Sequence, residues 1–133
     1  MSVANEWRDA SPVPTESNEQ QTLFAWAKAM SGKYPELAML YHIPNEGKRS
    51  VRTGARLKAE GLRAGVPDIC LPVPRGGKHG LYIELKRRKG GTVSEAQQAW
   101  IRALCGQGYA CTVCHGWDAA RDEIMNYLRQ EDK

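Results

Sequence analysis

In "GLYIELK", residues 80–86, apolar Leu81, Ile83 and Leu85 alternate with Tyr82, Glu84 and Lys86. Strict alternation of this kind makes a strand with one face toward a core and the other free to carry chemistry. Upstream, "PDICLPV" reads as a neighbouring strand joined through the turn-rich "PRGGKHG", with Pro72 and Pro74 at an edge or irregular end. Such a hairpin brings Asp68 near Glu84. Two carboxylates at that separation repel unless a cation lies between them. A Mg²⁺ ion, held by Asp68, Glu84 and the backbone carbonyl of Leu85, would neutralise them, and Mn²⁺ suits the same oxygens. Lys86 is then placed to orient an attacking water, to stabilise charge on phosphoryl oxygens, or to exchange a proton; the sequence leaves all three open. The plainer reading of Glu84 and Lys86 is a surface ion pair. Tyr82 stays open between stacking, sheet support and a solvent-facing position.

The rest of the chain is organised around these strands. Leu23, Trp26, Ala27 and Met30 share one face of a helix that starts near Ser17 or Asn18 and stops at Gly32. "LAMLYHI", residues 37–43, is expected as a strand closed by Pro44. "ARLKAE" is a short helix before a glycine-rich stop. "SEAQQAWIRALCGQG" begins at a serine cap and is expected to bury Ala96, Trp100, Ala103 and Leu104. Tyr109–Cys114 is a strand, and a closing amphipathic helix turns Ile124, Tyr127 and Leu128 inward. This order gives an α/β fold, a small mixed sheet flanked by helices. At 133 residues one domain is expected over 17–133, preceded by a flexible arm over 1–16 that contains Pro12 and Pro14.

Several chemistries drop out. The N-terminus lacks a basic stretch followed by an apolar run, and no stretch of some twenty apolar residues occurs, so a cytoplasmic protein with no membrane span is expected. Cys70, Cys105, Cys111 and Cys114 are then reduced and mostly buried. "CTVCH" matches a haem-attachment pattern in letters only, because it lies in a strand that turns Cys111 and Cys114 to opposite faces. There is no Gly-Lys-Ser/Thr phosphate loop and no Gly-x-Ser-x-Gly elbow. His42, His79 and His115 have no consistent nucleophile partner.

"GVPD" followed by Glu84 in "YIELK" resembles the PD-(D/E)XK nuclease motif. With "ESNEQQTLFAW", "IPNEGKR", "RLKAEGLRAGVPDI", "GLYIELKRRKGGTVSEAQQAW" and "GYACTVCHGWDAA", the chain from about 16 to 130 resembles the VRR-NUC family, whose small stand-alone members are found in bacteriophages. The resemblance implies a restriction-endonuclease-like PD-(D/E)XK core and a metal-dependent DNA endonuclease leaving a 5'-phosphate and a 3'-hydroxyl. It also implies a homodimer acting on branched DNA such as four-way junctions. Carried over, it makes Asp68 and Glu84 the metal carboxylates and Lys86 the catalytic lysine. Glu19 becomes the helical glutamate that completes the site through water, with Glu16 its competitor. Gln97 becomes the glutamine whose amide holds a water or phosphate oxygen.

The net charge of +4, with 26% charged residues, is compatible with a phosphate-bearing partner. The candidate DNA contacts are Asn45, Arg49, Arg52, Arg56 and Lys58 ahead of the hairpin, Arg75 and Lys78 at its tip, and Arg87 and Arg88 after the catalytic strand. Contacts of this type position a duplex without reading its bases. Two other classes fit the same composition: a non-catalytic DNA-binding module, and a structural or assembly protein.

Overall fold

The computed structural model describes residues 12–44 and 51–132. Helix α1 spans Glu16–Met30 and starts earlier than expected, because the Thr15 hydroxyl accepts the Asn18 amide at 3.1 Å and so caps the first turn. The arm assigned to residues 1–16 falls mostly outside the described residues. After α1 comes a 3₁₀ turn, Pro35–Met39, and then only two extended residues, Tyr41–His42, as β1. Of the expected seven-residue strand, the first three residues are helical and only Tyr41 and His42 are extended. Pro35 presets the first turn, and a three-residue period lets Leu37 and Leu40 both enter the core, which an alternating strand would not allow.

Helix α2 (Val51–Ala59) buries none of its residues. Strands β2 (Ile69–Leu71) and β3 (Leu81–Lys86) form the expected hairpin, paired antiparallel with Ile69 opposite Ile83. A crossover through α3 (Glu95–Gly106) returns the chain as β4 (Ala110–His115), parallel to β3 with Glu84 opposite Val113. Helix α4 (Trp117–Leu128) ends the fold. The sheet order is β1-β2-β3-β4, and β1 pairs antiparallel to β2.

The core lies on the face of the sheet that carries Ile69, Leu81, Ile83 and Leu85, against Leu23 and Ala27 of α1 and Ala120, Ile124 and Tyr127 of α4. The hydroxyl of Tyr127 donates to the Val73 carbonyl, fastening α4 beneath the hairpin. Helix α3 lies on the opposite face, over β4. That location overturns the burial expected for it. Ala96 and Ala103 are exposed, Trp100 and Leu104 only half-buried, because α3 is outside the main core and covers one edge strand.

One glycine decides how the segment before β2 is held. At Gly65 (φ +92°) a Cβ would come within 2.7 Å of the Ala96 backbone. The "GVPD" segment thus rests directly on the first turn of α3, and only glycine permits both that approach and that backbone conformation. Three residues later the chain presents Asp68 beside β3. All four cysteines are free, and burial first of all pushes the Cys111 thiol up to about 12 and that of Cys114 up to about 11.

Candidate metal-ion and phosphodiester site

Register continues the hairpin one step beyond β2, so Asp68 faces Glu84 across the pair. The Leu85 amide donates to Asp68 Oδ2 at 2.9 Å, which orients that carboxylate toward its neighbour. Leu85 thus meets Asp68 through its N–H, beside the role expected of its carbonyl. On β3, alternation puts Lys86 on the same face as Glu84, and its Nζ lies 3.5 Å from Glu84 Oε1. Gln97 reaches over from α3 and donates Nε2 to the same Oε1 at 2.7 Å.

The position of Gln97 follows from the local sequence "SEAQ". The Ser94 hydroxyl accepts the Gln97 amide at 3.1 Å, and the Ser94 amide donates to Gln97 Oε1 at 2.8 Å, a reciprocal capping box. Both ends of the side-chain amide are thereby occupied within the protein. Gln97 holds the Glu84 carboxylate, where a water or phosphate oxygen was expected.

Glu84 is 1% exposed, and its Oε2 is buried without a hydrogen bond. Burial, then the charge of Asp68, pushes its carboxyl up to about 8, with Lys86 opposing. Burial also raises Asp68, against the pull of the Leu85 amide and of Lys86. An unpartnered buried carboxylate oxygen beside a second carboxylate fits a hard cation, which takes oxygen ligands. Among the described residues no three or more His, Cys, Asp or Glu side chains are grouped to hold a metal ion. The donor set is two carboxylates, with backbone and water oxygens to complete it, which matches how Mg²⁺ is usually held.

Glu19 stands elsewhere. It is 2% exposed, and its Oε1 accepts from Arg88 Nη2 at 3.1 Å and from the Trp117 amide at 3.2 Å. Its Oε2 takes no well-angled hydrogen bond but faces Arg88 Nε at 2.8 Å, so the ion pair meets its charge. It fastens α1 to the residues after β3 and to the N-terminus of α4, and it does not join Asp68 and Glu84 in a three-carboxylate group. Glu16 is exposed in the first turn of α1.

The basic residues separate into two groups. Arg75, expected at the DNA surface, is 8% exposed and bound to Glu36 at 2.7 Å and to the Pro74 carbonyl. It is a structural cation, drawn inward because the hairpin tip folds back on the 3₁₀ turn. Arg88 is committed to Glu19 and, at 3.0 Å, to Asp118, which its guanidinium holds below the usual carboxylate range. Arg52, Arg56 and Lys58 lie exposed on α2, with Arg56 loosely paired to Glu60 at 3.8 Å. Lys78 and Arg87 are exposed as well. Asn45 and Arg49 lie outside the described residues.

Sequence reasoning read His42 only as a histidine without a nucleophile partner. Its Nδ1 is 3.0 Å from the Asp68 carbonyl, tying the edge strand to the residue that carries the first carboxylate. Only the β1–β2 register, with His42 opposite Ile69, could have disclosed this.

The sequence profile of the VRR-NUC domain matches residues 9–118. A solved structure described as a VRR_NUC domain protein superposes with a TM-score of 0.80 at 29% sequence identity, over 92% of this chain and 94% of that one. No curated protein matches. The mixed sheet flanked by helices is the PD-(D/E)XK-like arrangement seen in that relative.

Proposed function

This chain belongs to the VRR-NUC domain family, and from that premise we propose that it is a metal-dependent DNA endonuclease selective for branched DNA. Family and fold give the general nuclease class. The observation that carries the metal dependence is Glu84 Oε2, buried and without a hydrogen bond beside Asp68. Asp68, Glu84 and the Leu85 carbonyl would hold Mg²⁺, or Mn²⁺ in its place. Bound there, the ion supplies Lewis-acid charge for the phosphoryl oxygens and lowers the pKa of water.

The protein's own groups do the positioning. Lys86 carries a proton-bearing nitrogen on the face of the carboxylates, within reach of the charge that gathers on a phosphodiester as water attacks phosphorus. Gln97 fixes the Glu84 rotamer from the start of α3, and the Leu85 amide fixes Asp68. Arg52, Arg56, Lys58, Lys78 and Arg87 contact backbone phosphates and set the register of the duplex. A homodimer places two such centres on one four-way junction.

Cleavage of a labelled four-way junction and of a matching linear duplex tests this, in Mg²⁺, Mn²⁺ or chelator, with the parent and Lys86→Ala proteins. Metal-dependent cutting of the junction that is lost in Lys86→Ala is the expected result. Equal cutting of both DNAs removes the branch selectivity. Binding of either DNA without cutting in any metal replaces the enzyme with a binding module.

A further inference from the structure

The face that carries Glu84 continues away from Lys86 into a row of aromatic rings. Tyr41, Cys70, Tyr82 and Cys111 are successive partners across the four strands, so their side chains share one face, and alternation makes it the face of Glu84. Cys70, 4% exposed, lies between Tyr41 and Tyr82 as the cross-strand partner of both. Tyr109 meets Tyr82 edge-on at 5.4 Å between ring centroids and His79 at 5.6 Å. On this face α3 covers β4, and among the described residues no α-helix covers β1 or β2, so Tyr41 remains 47% exposed.

We propose that the Tyr41–Tyr82–Tyr109 surface is a stacking platform for an unpaired base of the nucleotide next to the scissile phosphate. This deepens the nuclease reading and rests on it. Tyr82 is two residues from Glu84 on one strand, roughly 7 Å along it. A base on this surface therefore belongs to a nucleotide whose phosphate can lie over the carboxylates. Aromatic rings offer π-faces that stack on any base, which is how single strands are held without sequence preference. A base inside an intact duplex is stacked on its neighbours and cannot use the platform. The substrate class is thus DNA with an unstacked nucleotide at the cut, at a fork, gap or junction.

Area argues against a second copy of the chain as the occupant. Aromatic side chains bury 150–250 Å² each when fully covered, so these partly exposed rings and His79 offer on the order of 300 Å² together. A standard interface needs about 800 Å² per partner. A nucleobase matches the smaller figure.

The test uses forked DNA with an abasic residue walked along each arm next to the fork. Binding is measured in Ca²⁺ by fluorescence anisotropy, with the full chain carrying Lys86→Ala so that no cutting intervenes. One abasic position should weaken binding about tenfold or more. Tyr41→Ala should weaken binding to the intact fork by a similar factor and erase the abasic penalty, whereas Tyr41→Phe, which keeps the ring, should behave as the parent. Equal binding of intact and abasic forks at every position overturns the platform. So does a Tyr41→Ala loss that is the same for both, or a sedimentation change showing that Tyr41→Ala splits a dimer. If the protein with Lys86 restored cuts none of these DNAs in Mg²⁺ or Mn²⁺, the nuclease reading fails, while a base-dependent loss at Tyr41 still upholds the platform.

Discussion

Glu84 and Glu19 are both almost fully buried, at 1% and 2% exposure, yet the protein treats them in opposite ways. Around Glu19 it supplies a guanidinium and a backbone amide, so the charge is met from within the chain. Around Glu84 it supplies the Gln97 amide and one ammonium, Lys86 at 3.5 Å, but sets a second carboxylate, Asp68, beside them, so that a single cation serves two buried acids. Burial alone therefore says little about function. A buried carboxylate completed by protein groups is a fastener, whereas one that shares its only cation with a second carboxylate is the ground for the proposed cation site.

The largest separation between the two should appear in activity. Glu84→Gln or Lys86→Ala is expected to lower the cleavage rate by about a thousandfold or more, a loss on the order of 4 kcal/mol of transition-state stabilisation. The folded state should survive, as read by circular dichroism. A Glu84→Gln protein that still cuts at the parental rate would erase the distinction.

Gln97→Ala probes the comparison from the side of the fastening. Outer-shell partners of metal ligands typically account for about 10–100-fold in affinity or activity, so a fall of that size in cleavage is expected. Loss of the capping box should also cost about 1 kcal/mol in urea unfolding.

Glu19→Gln should act on stability in place of chemistry. It breaks a buried ion pair whose partner Arg88 is partly exposed, so a loss of about 2 kcal/mol is expected, with metal affinity unchanged. A drop in metal affinity would merge the two glutamates into one site.

The acid–base behaviour sharpens the same contrast. In the metal-free protein, Glu84 holds a proton up to about pH 8 that the unfolded chain releases in the ordinary carboxylate range. The folded state binds more protons across that window, so stability falls as pH rises from about 4.5 to about 8. Thermal melting in chelator should drop over this range, and Glu84→Gln should flatten the slope. The smallest effect belongs to the surface: Lys78→Ala or Arg87→Ala should each reduce the salt dependence of DNA binding by about one counterion. Arg75→Ala should leave that slope alone and destabilise the hairpin tip.

The hairpin and its register were legible because a period of two residues fixes faces and partners together, which brought Asp68 to Glu84 on paper. The 3₁₀ turn was not, since "LAMLY" is an apolar run that suits either a strand or a helical turn, and only the tertiary positions of Leu37 and Leu40 select between them. The apolar residues of α3 mark a helix but not the layer it joins. Charge likewise carries no partner in sequence. Arg75 finds Glu36 at a separation of 39 residues and Arg88 finds Glu19 at 69, so both looked like free surface cations. Gln97 was placed on the right helix, yet its partner depended on how α3 returns over the sheet.

A calorimetric titration of the full chain with Mn²⁺, run on the parent, Glu84→Gln and Glu19→Gln proteins, tests the central claim most directly. Binding in the parent and in Glu19→Gln that is lost in Glu84→Gln is the result predicted. Binding that survives Glu84→Gln, or that disappears in a folded Glu19→Gln protein, would contradict it.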